Sequence, residues 1–142
     1  MDHIVYLDAA AKEFEQLLSG TKTMIIRGAA GRKIPYGRVD PGDCLYFILN
    51  NSEGVIRARA WVQKVIHSEK LSEDGSIKLI SENREKLQLT EKQLARWSGK
   101  RYLVLIEVEK VEEIIPFGID KSSYGNMDDW LPVGEIGKVK LK

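Results

Sequence analysis

Hydrophobic positions along the chain follow two periods. Ile4 to Leu7 is a short apolar stretch, after which Ala10, Phe14, Leu17 and Leu18 recur at helical spacing. A helix is predicted there, opened by Asp8 as N-cap and stopped by Gly20. The period then shortens to two. The β-branched Ile25 and Ile26 predict a strand from Thr23 to Arg27, whereas Gly28, Gly31, Pro35 and Gly37 predict a loop. Asp40-Pro41-Gly42-Asp43 is turn chemistry, and the apolar run Cys44 to Leu49 behind it predicts a buried strand. Asn50 to Gly54 closes a hairpin onto a longer strand, Val55 to His67. There Ile56, Ala58, Ala60 and Val62 share one face, Arg57 and Arg59 the other, and Val65 breaks the alternation as a bulge would.

Helical spacing returns from Ser72 to Lys86, with Ile77, Ile80 and Leu87 on one face, and Thr90-Glu91-Lys92-Gln93 is a capping box that opens a short second helix ended by Gly99. Tyr102, Val104, Ile106 and Val108 then alternate with residues that turn charged, Glu107 and Glu109, which predicts a half-exposed strand from Arg101 to Val111. From Pro116 onward, Gly118, Gly125, Pro132, Gly134 and Gly137 predict an irregular tail with one last short strand at Lys138 to Leu141. Strands outnumber helices, and no strand-helix-strand alternation dominates. The predicted class is α+β: one domain over residues 1–142, built on a small, mostly antiparallel curled sheet or barrel with two or three flanking helices.

Charge changes this picture only locally. The chain has 22 Lys plus Arg against 21 Asp plus Glu, a formal net charge of +1, so no bulk basicity points to nucleic acid. Between Thr21 and Val39, however, Lys22, Arg27, Arg32, Lys33 and Arg38 stand without an acidic residue among them. Around a glycine-rich loop they form a cationic surface able to contact phosphates, which Arg57 and Arg59 would extend. The one cysteine, Cys44, excludes an intramolecular disulfide and fits a reducing, cytoplasmic home. The longest apolar run is far too short to span a bilayer, and Met1-Asp2-His3 lacks the cationic start of a signal peptide, so no membrane association is expected.

Other chemistry is thin. His3 and His67 lie far apart without ligand spacing, so no metal and no cofactor is expected. Gly28-Ala29-Ala30-Gly31-Arg32-Lys33 is too short for a phosphate-binding P-loop, and a KH clamp belongs between helices, whereas this segment follows a strand. Cys44 reads as a small core residue. Trp97 reads as core or as a base-stacking platform, and Trp130 as an aromatic that either pins the tail or lines a cleft. Asp128 and Asp129 are adjacent and diverge in an extended chain, which makes them a poor shared-proton pair.

Several residues in order carry a family resemblance. The helix ending Leu17-Leu18-Ser19-Gly20, the Gly-x-Lys-Thr of Gly20 to Thr23 with the later Arg27, the Pro41-Gly42-Asp43 turn, and Arg59-Ala60-Trp61-Val62 with Val65 together resemble ASCH domains of the PUA-like superfamily. The match is clear over residues 14–67, and the whole chain looks like an archaeal branch of that superfamily. The resemblance implies a barrel of five or six strands with helices at its openings, and a cleft beside the first helix that binds RNA or a nucleotide-like ligand. It also implies an enzymatic alternative, because some ASCH-like proteins resemble small amidohydrolases or ribonucleases that use a lysine, a threonine and a carboxylate. Lys22 stands at the lysine position and Glu85 is the counterpart of the glutamate, but Ile25 stands where the pattern has threonine. A protein-interaction module is the third class.

Overall fold

The structure, a computed structural model, describes residues 1–120, 122 and 129–141. Its centre is a six-stranded sheet of β1 (Asp2–Leu7), β2 (Met24–Ala29), β3 (Cys44–Leu49), β4 (Val55–His67), β5 (Tyr102–Gly118) and β6 (Trp130–Gly134), in the order β2-β5-β4-β3-β1-β6. Every pairing is antiparallel except β1 with β3. The sheet curls into a partial barrel: Val5 of β1 and Ile25 of β2 stand near opposite ends of the strand order, yet both lie fully buried in one cluster with Leu45, Phe47 and Val104. Helix α1 (Glu13–Ser19) adds Leu17 to that core. Helices α2 (Glu73–Glu82), α3 (Arg84–Leu87) and α4 (Glu91–Trp97) cover the other face of β2 and β5, where Ile80, Leu87 and Trp97 meet Met24, Ile26 and Leu105.

The two central strands occupy their predicted spans, and α4 opens on the predicted capping box, with Thr90 and Gln93 exchanging side-chain and backbone hydrogen bonds. Elsewhere the chain departs from its pattern for identifiable reasons. Asp8 does not cap α1. Its carboxylate accepts the Ala11 N–H and folds residues 8–11 into a turn, Lys12 then takes a left-handed conformation, and the helix starts at Glu13. The segment Ser72 to Lys86 is two helices broken at Asn83, and Ile77 is exposed while Ser76 and Ile80 face the core. The irregularity placed at Val65 falls between Val62 and Lys64, one of three register shifts in the β4–β5 pair. Strand β5 continues through Pro116 to Gly118. It does so where β5 leaves its ladder with β4: the register jumps from Ala58↔Glu113 to Ile56↔Phe117, so no β4 pairing calls on the N–H that Pro116 lacks. In place of the last short strand there is a 3-10 turn, Ile136–Lys138, and a single bridge between Ile119 and Lys140. No helix among the described residues is long and apolar enough to cross a membrane.

Strands β1 and β6 are fastened by a buried polar chain. Trp130 Nε1, which can only donate, gives its hydrogen to His3 Nδ1 at 3.0 Å. That fixes the imidazole proton on Nε2, which donates to Asp43 Oδ2 at 2.8 Å. His3 is wholly buried, and burial lowers its pKa below the ordinary 6.5, outweighing the opposing pull of Asp43. A second ring proton would confront the Trp130 N–H. Because the folded pKa is lowered, the contribution of neutral His3 is complete above about pH 6.5 and is lost as pH falls below it, at about 1.4 kcal/mol for each tenfold drop in proton affinity on folding. Urea titrations from about pH 8 to 5 are therefore expected to show declining stability, with the decline reduced in His3→Gln. Equal pH dependence in the two proteins would contradict this account.

Candidate functional site

Strand β2 begins where α1 ends, at a left-handed Gly20, and runs along one edge of the sheet. Arg27 lies on that edge with 8% of its surface exposed. Its Nη1 donates to the Ile26 carbonyl and its Nη2 to the Tyr6 carbonyl of β1, each at 2.7 Å, and its guanidinium lies 5.9 Å from the ring centroid of Trp130 at the start of β6. Arg27 thus bridges the seam between the two ends of the curled sheet. Its third donor, Nε, is the one buried side-chain nitrogen or oxygen among the described residues that lacks a hydrogen-bond partner. No carboxylate forms an ion pair with it among these residues. Burial lowers its pKa, and the nearby charges of Glu13 and Asp129 only partly offset this.

The seam opens into a cleft of 340 Å³. Among the described residues four cations line it, Arg27, Lys33, Arg96 and Lys100, against one carboxylate, Asp129. Its aromatic walls are Tyr36, Tyr102, Trp97 and Trp130, with Tyr36 and Tyr102 edge to face at 5.6 Å. Gly28 forms part of the floor because β2 runs tight against β5 there: a Cβ on Gly28 would sit 2.7 Å from Leu103 Cδ2. The Ile26 carbonyl is taken by a side chain on the open edge of β2, and alternation along a strand turns the Gly28 peptide groups to the same edge. The glycine-rich loop is held over the cleft by His67, whose Nδ1 accepts the Gly37 N–H at 3.1 Å, and by the Tyr36 hydroxyl on the Ser68 carbonyl.

The structure separates the sequence candidates into groups. Arg27 and Lys33 line the cleft, and Arg32 lies over its rim, 5.8 and 5.5 Å from the ring centroids of Tyr36 and Tyr102. Arg38 is exposed on the same loop. Arg57 and Arg59 are off the cleft in ion pairs with Glu53 and Glu112. Lys22 lies beneath the site with its side chain fully enclosed, its ammonium donating to the Leu87 carbonyl and 3.3 Å from Glu13 Oε2. Burial lowers its pKa against the pull of Glu13. Glu85 is exposed on α3, and no hydrogen bond or ion pair joins it to Lys22. The carboxylate partner of Lys22 is Glu13, whose place in the first turn of a helix gives no sequence signal of that role. Trp97 and Trp130 are both core residues and both line the cleft. Sequence reasoning also misses Arg96, Lys100 and Tyr102, which are distant in sequence from the basic run, and Tyr36, which lies within it. Cys44 is a buried free thiol. Asp128 lies outside the described residues.

The architecture has known counterparts. No protein-family model and no curated protein matches the sequence. The crystal structure of an ASCH protein from Zymomonas mobilis superposes with a TM-score of 0.66 at 16% identity, covering 96% of this chain and 91% of that one. Two point mutants of the same protein, one Tyr to Phe and one Ser to Ala, each give 0.67 at 15% and 16% identity, again over 96% of this chain and over 94% and 92% of theirs. The chain has the ASCH-type, PUA-like fold.

The enclosed Lys22–Glu13 pair has a measurable consequence for folding. Lys22→Met strands a buried carboxylate and is expected to cost about 3–5 kcal/mol, whereas Lys22→Met combined with Glu13→Leu should recover most of that loss. Denaturant unfolding of the three proteins gives the comparison. A single substitution without cost would show that the pair does not hold α1 to β2.

Proposed function

We propose that this ASCH-type domain is a binding module for RNA or a nucleotide-derived ligand, with the phosphate held in the Arg27 cleft and a base against its aromatic walls. The observation that carries the reading is Arg27: a buried cation, fixed by two peptide carbonyls, whose Nε–H has no hydrogen-bond partner and whose charge has no ion-pair partner among the described residues. A buried polar group without a partner is costly, so a site that keeps one is matched to something that arrives from outside. An anion with several acceptor oxygens satisfies both the free donor and the charge, and Arg96, Lys33 and Lys100 add to the same field. The cleft volume suits one nucleotide-sized ligand, and the half-buried Tyr36 and Tyr102 supply aromatic rings against which a base of any kind packs.

The same residues favour binding over hydrolysis through Lys22. An amine that attacks or deprotonates a substrate has to reach it, and the Lys22 ammonium is enclosed by Glu13 and the Leu87 carbonyl. Exposed Arg32 and Arg38 act at the rim, where they steer a polyanion toward the cleft.

Binding of a short single-stranded RNA, followed by fluorescence anisotropy through a salt series, tests the reading. The log-log slope is expected near −0.7 for each phosphate engaged, or about −2 for three. Replacing Arg32, Lys33 and Arg38 with alanine, which leaves the buried contacts of Arg27 intact, should flatten it. Arg27→Gln should weaken binding by about tenfold or more. Salt-independent affinity, or affinity indifferent to both variants, would refute a phosphate-binding role.

A further inference from the structure

The one carboxylate in the cleft stands on one of its cations. Asp129 Oδ2 accepts from Arg96 Nη2 at 2.8 Å, between side chains that are 44% and 58% exposed. Arg96 belongs to the last turn of α4, and Asp129 is anchored by its own carbonyl, which accepts the Tyr6 N–H of β1 at 2.9 Å. Together with Arg27 and Trp97, the pair lines both the main cleft and a smaller space of 40 Å³ beyond it, so it lies between the two.

We propose that Asp129 is a built-in competitor for the ligand anion: its carboxylate holds on Arg96 the place that a ligand phosphate takes, and the cations it yields favour a terminal phosphomonoester over an internal phosphodiester. The inference rests on the nucleotide-binding reading above. An anion that takes the Arg96 Nη2 donor parts it from Asp129, and that loss is the same whichever anion arrives. A diester brings one negative charge and does little more than replace the carboxylate. A monoester brings nearly two, with three terminal oxygens that fit Arg96 and the free Arg27 donor together, so it gains more from the same cations after the same loss.

Calorimetric titration with three probes separates the possibilities: a nucleoside 5′-monophosphate, its methyl phosphodiester and the bare nucleoside, at about pH 8, above the second phosphate ionisation near 6. The monoester is expected to bind roughly tenfold tighter than the methyl ester. Asp129→Asn should tighten both by about two- to fivefold, the worth of an exposed ion pair. Equal affinity for monoester and methyl ester in the wild-type protein would overturn the proposal. So would an Asp129→Asn protein that is folded and binds no better. Should that variant not fold, Asp129→Ser gives the same comparison, and the wild-type preference decides independently. If both phosphates bind no better than the bare nucleoside, the nucleotide-binding reading fails and this inference fails with it. If both bind well but equally, only the inference fails.

Discussion

The Arg27 guanidinium donates to the carbonyls of Ile26 and Tyr6 and so joins strands that stand four places apart in the sheet order. A curled sheet that stops short of closing leaves backbone polar groups along its edges, and these groups need partners once they are covered. Here a side chain supplies them where another strand would otherwise have to. The substitution differs from strand pairing in one respect: it brings a full positive charge into a nearly dry position. Two carbonyls orient that charge without neutralising it, and under the proposed function it is this charge that an anion meets.

The polar groups behind the cleft place its walls. Trp130, on which Arg27 rests, is held by the hydrogen bond to His3, and His3 is held by the turn that precedes β3 through Asp43. On the other side, Lys22 and Glu13 tie α1 to the entry of β2, with Leu87 of α3 accepting from the same ammonium. Each set is buried and internally matched, so each costs more to disturb than to keep. Arg27 alone keeps an unmatched buried donor among the described side chains, and the same residue lines the cleft.

Much of the fold was legible because its central strands carry their own signatures. Cys44 to Leu49 is apolar between turns, Val55 to His67 alternates, and Thr90 to Gln93 caps a helix by its hydroxyl and amide. The edges were harder to read. Strand β1 is short and almost uniformly buried, with no alternation to mark it, and β6 holds Pro132 and ends at Gly134, residues that argue against a strand anywhere but at an edge. Within the site, the basic run from Lys22 to Arg38 was visible, but its members diverge: Lys22 turns into the protein, Arg27 into the seam and Arg38 to solvent. Nothing in the one-dimensional pattern distinguishes them, because Arg27 is buried by the return of the chain at Tyr6 and Trp130, more than a hundred residues apart in sequence. Glu13 and Arg96 were hidden for the same reason, each lying on a short helix whose neighbours are fixed only by tertiary packing.

The most direct test observes the Arg27 side chain itself. In nitrogen-edited NMR spectra the Arg27 Nε–Hε resonance reports the one buried donor without a partner. If the cleft is a phosphate site, titration with a nucleoside monophosphate will move this resonance and slow its exchange with water as the ligand saturates, while the Nε of Arg59, held by Glu112 away from the cleft, stays in place. A saturating titration that leaves Arg27 Nε–Hε unmoved would contradict the account.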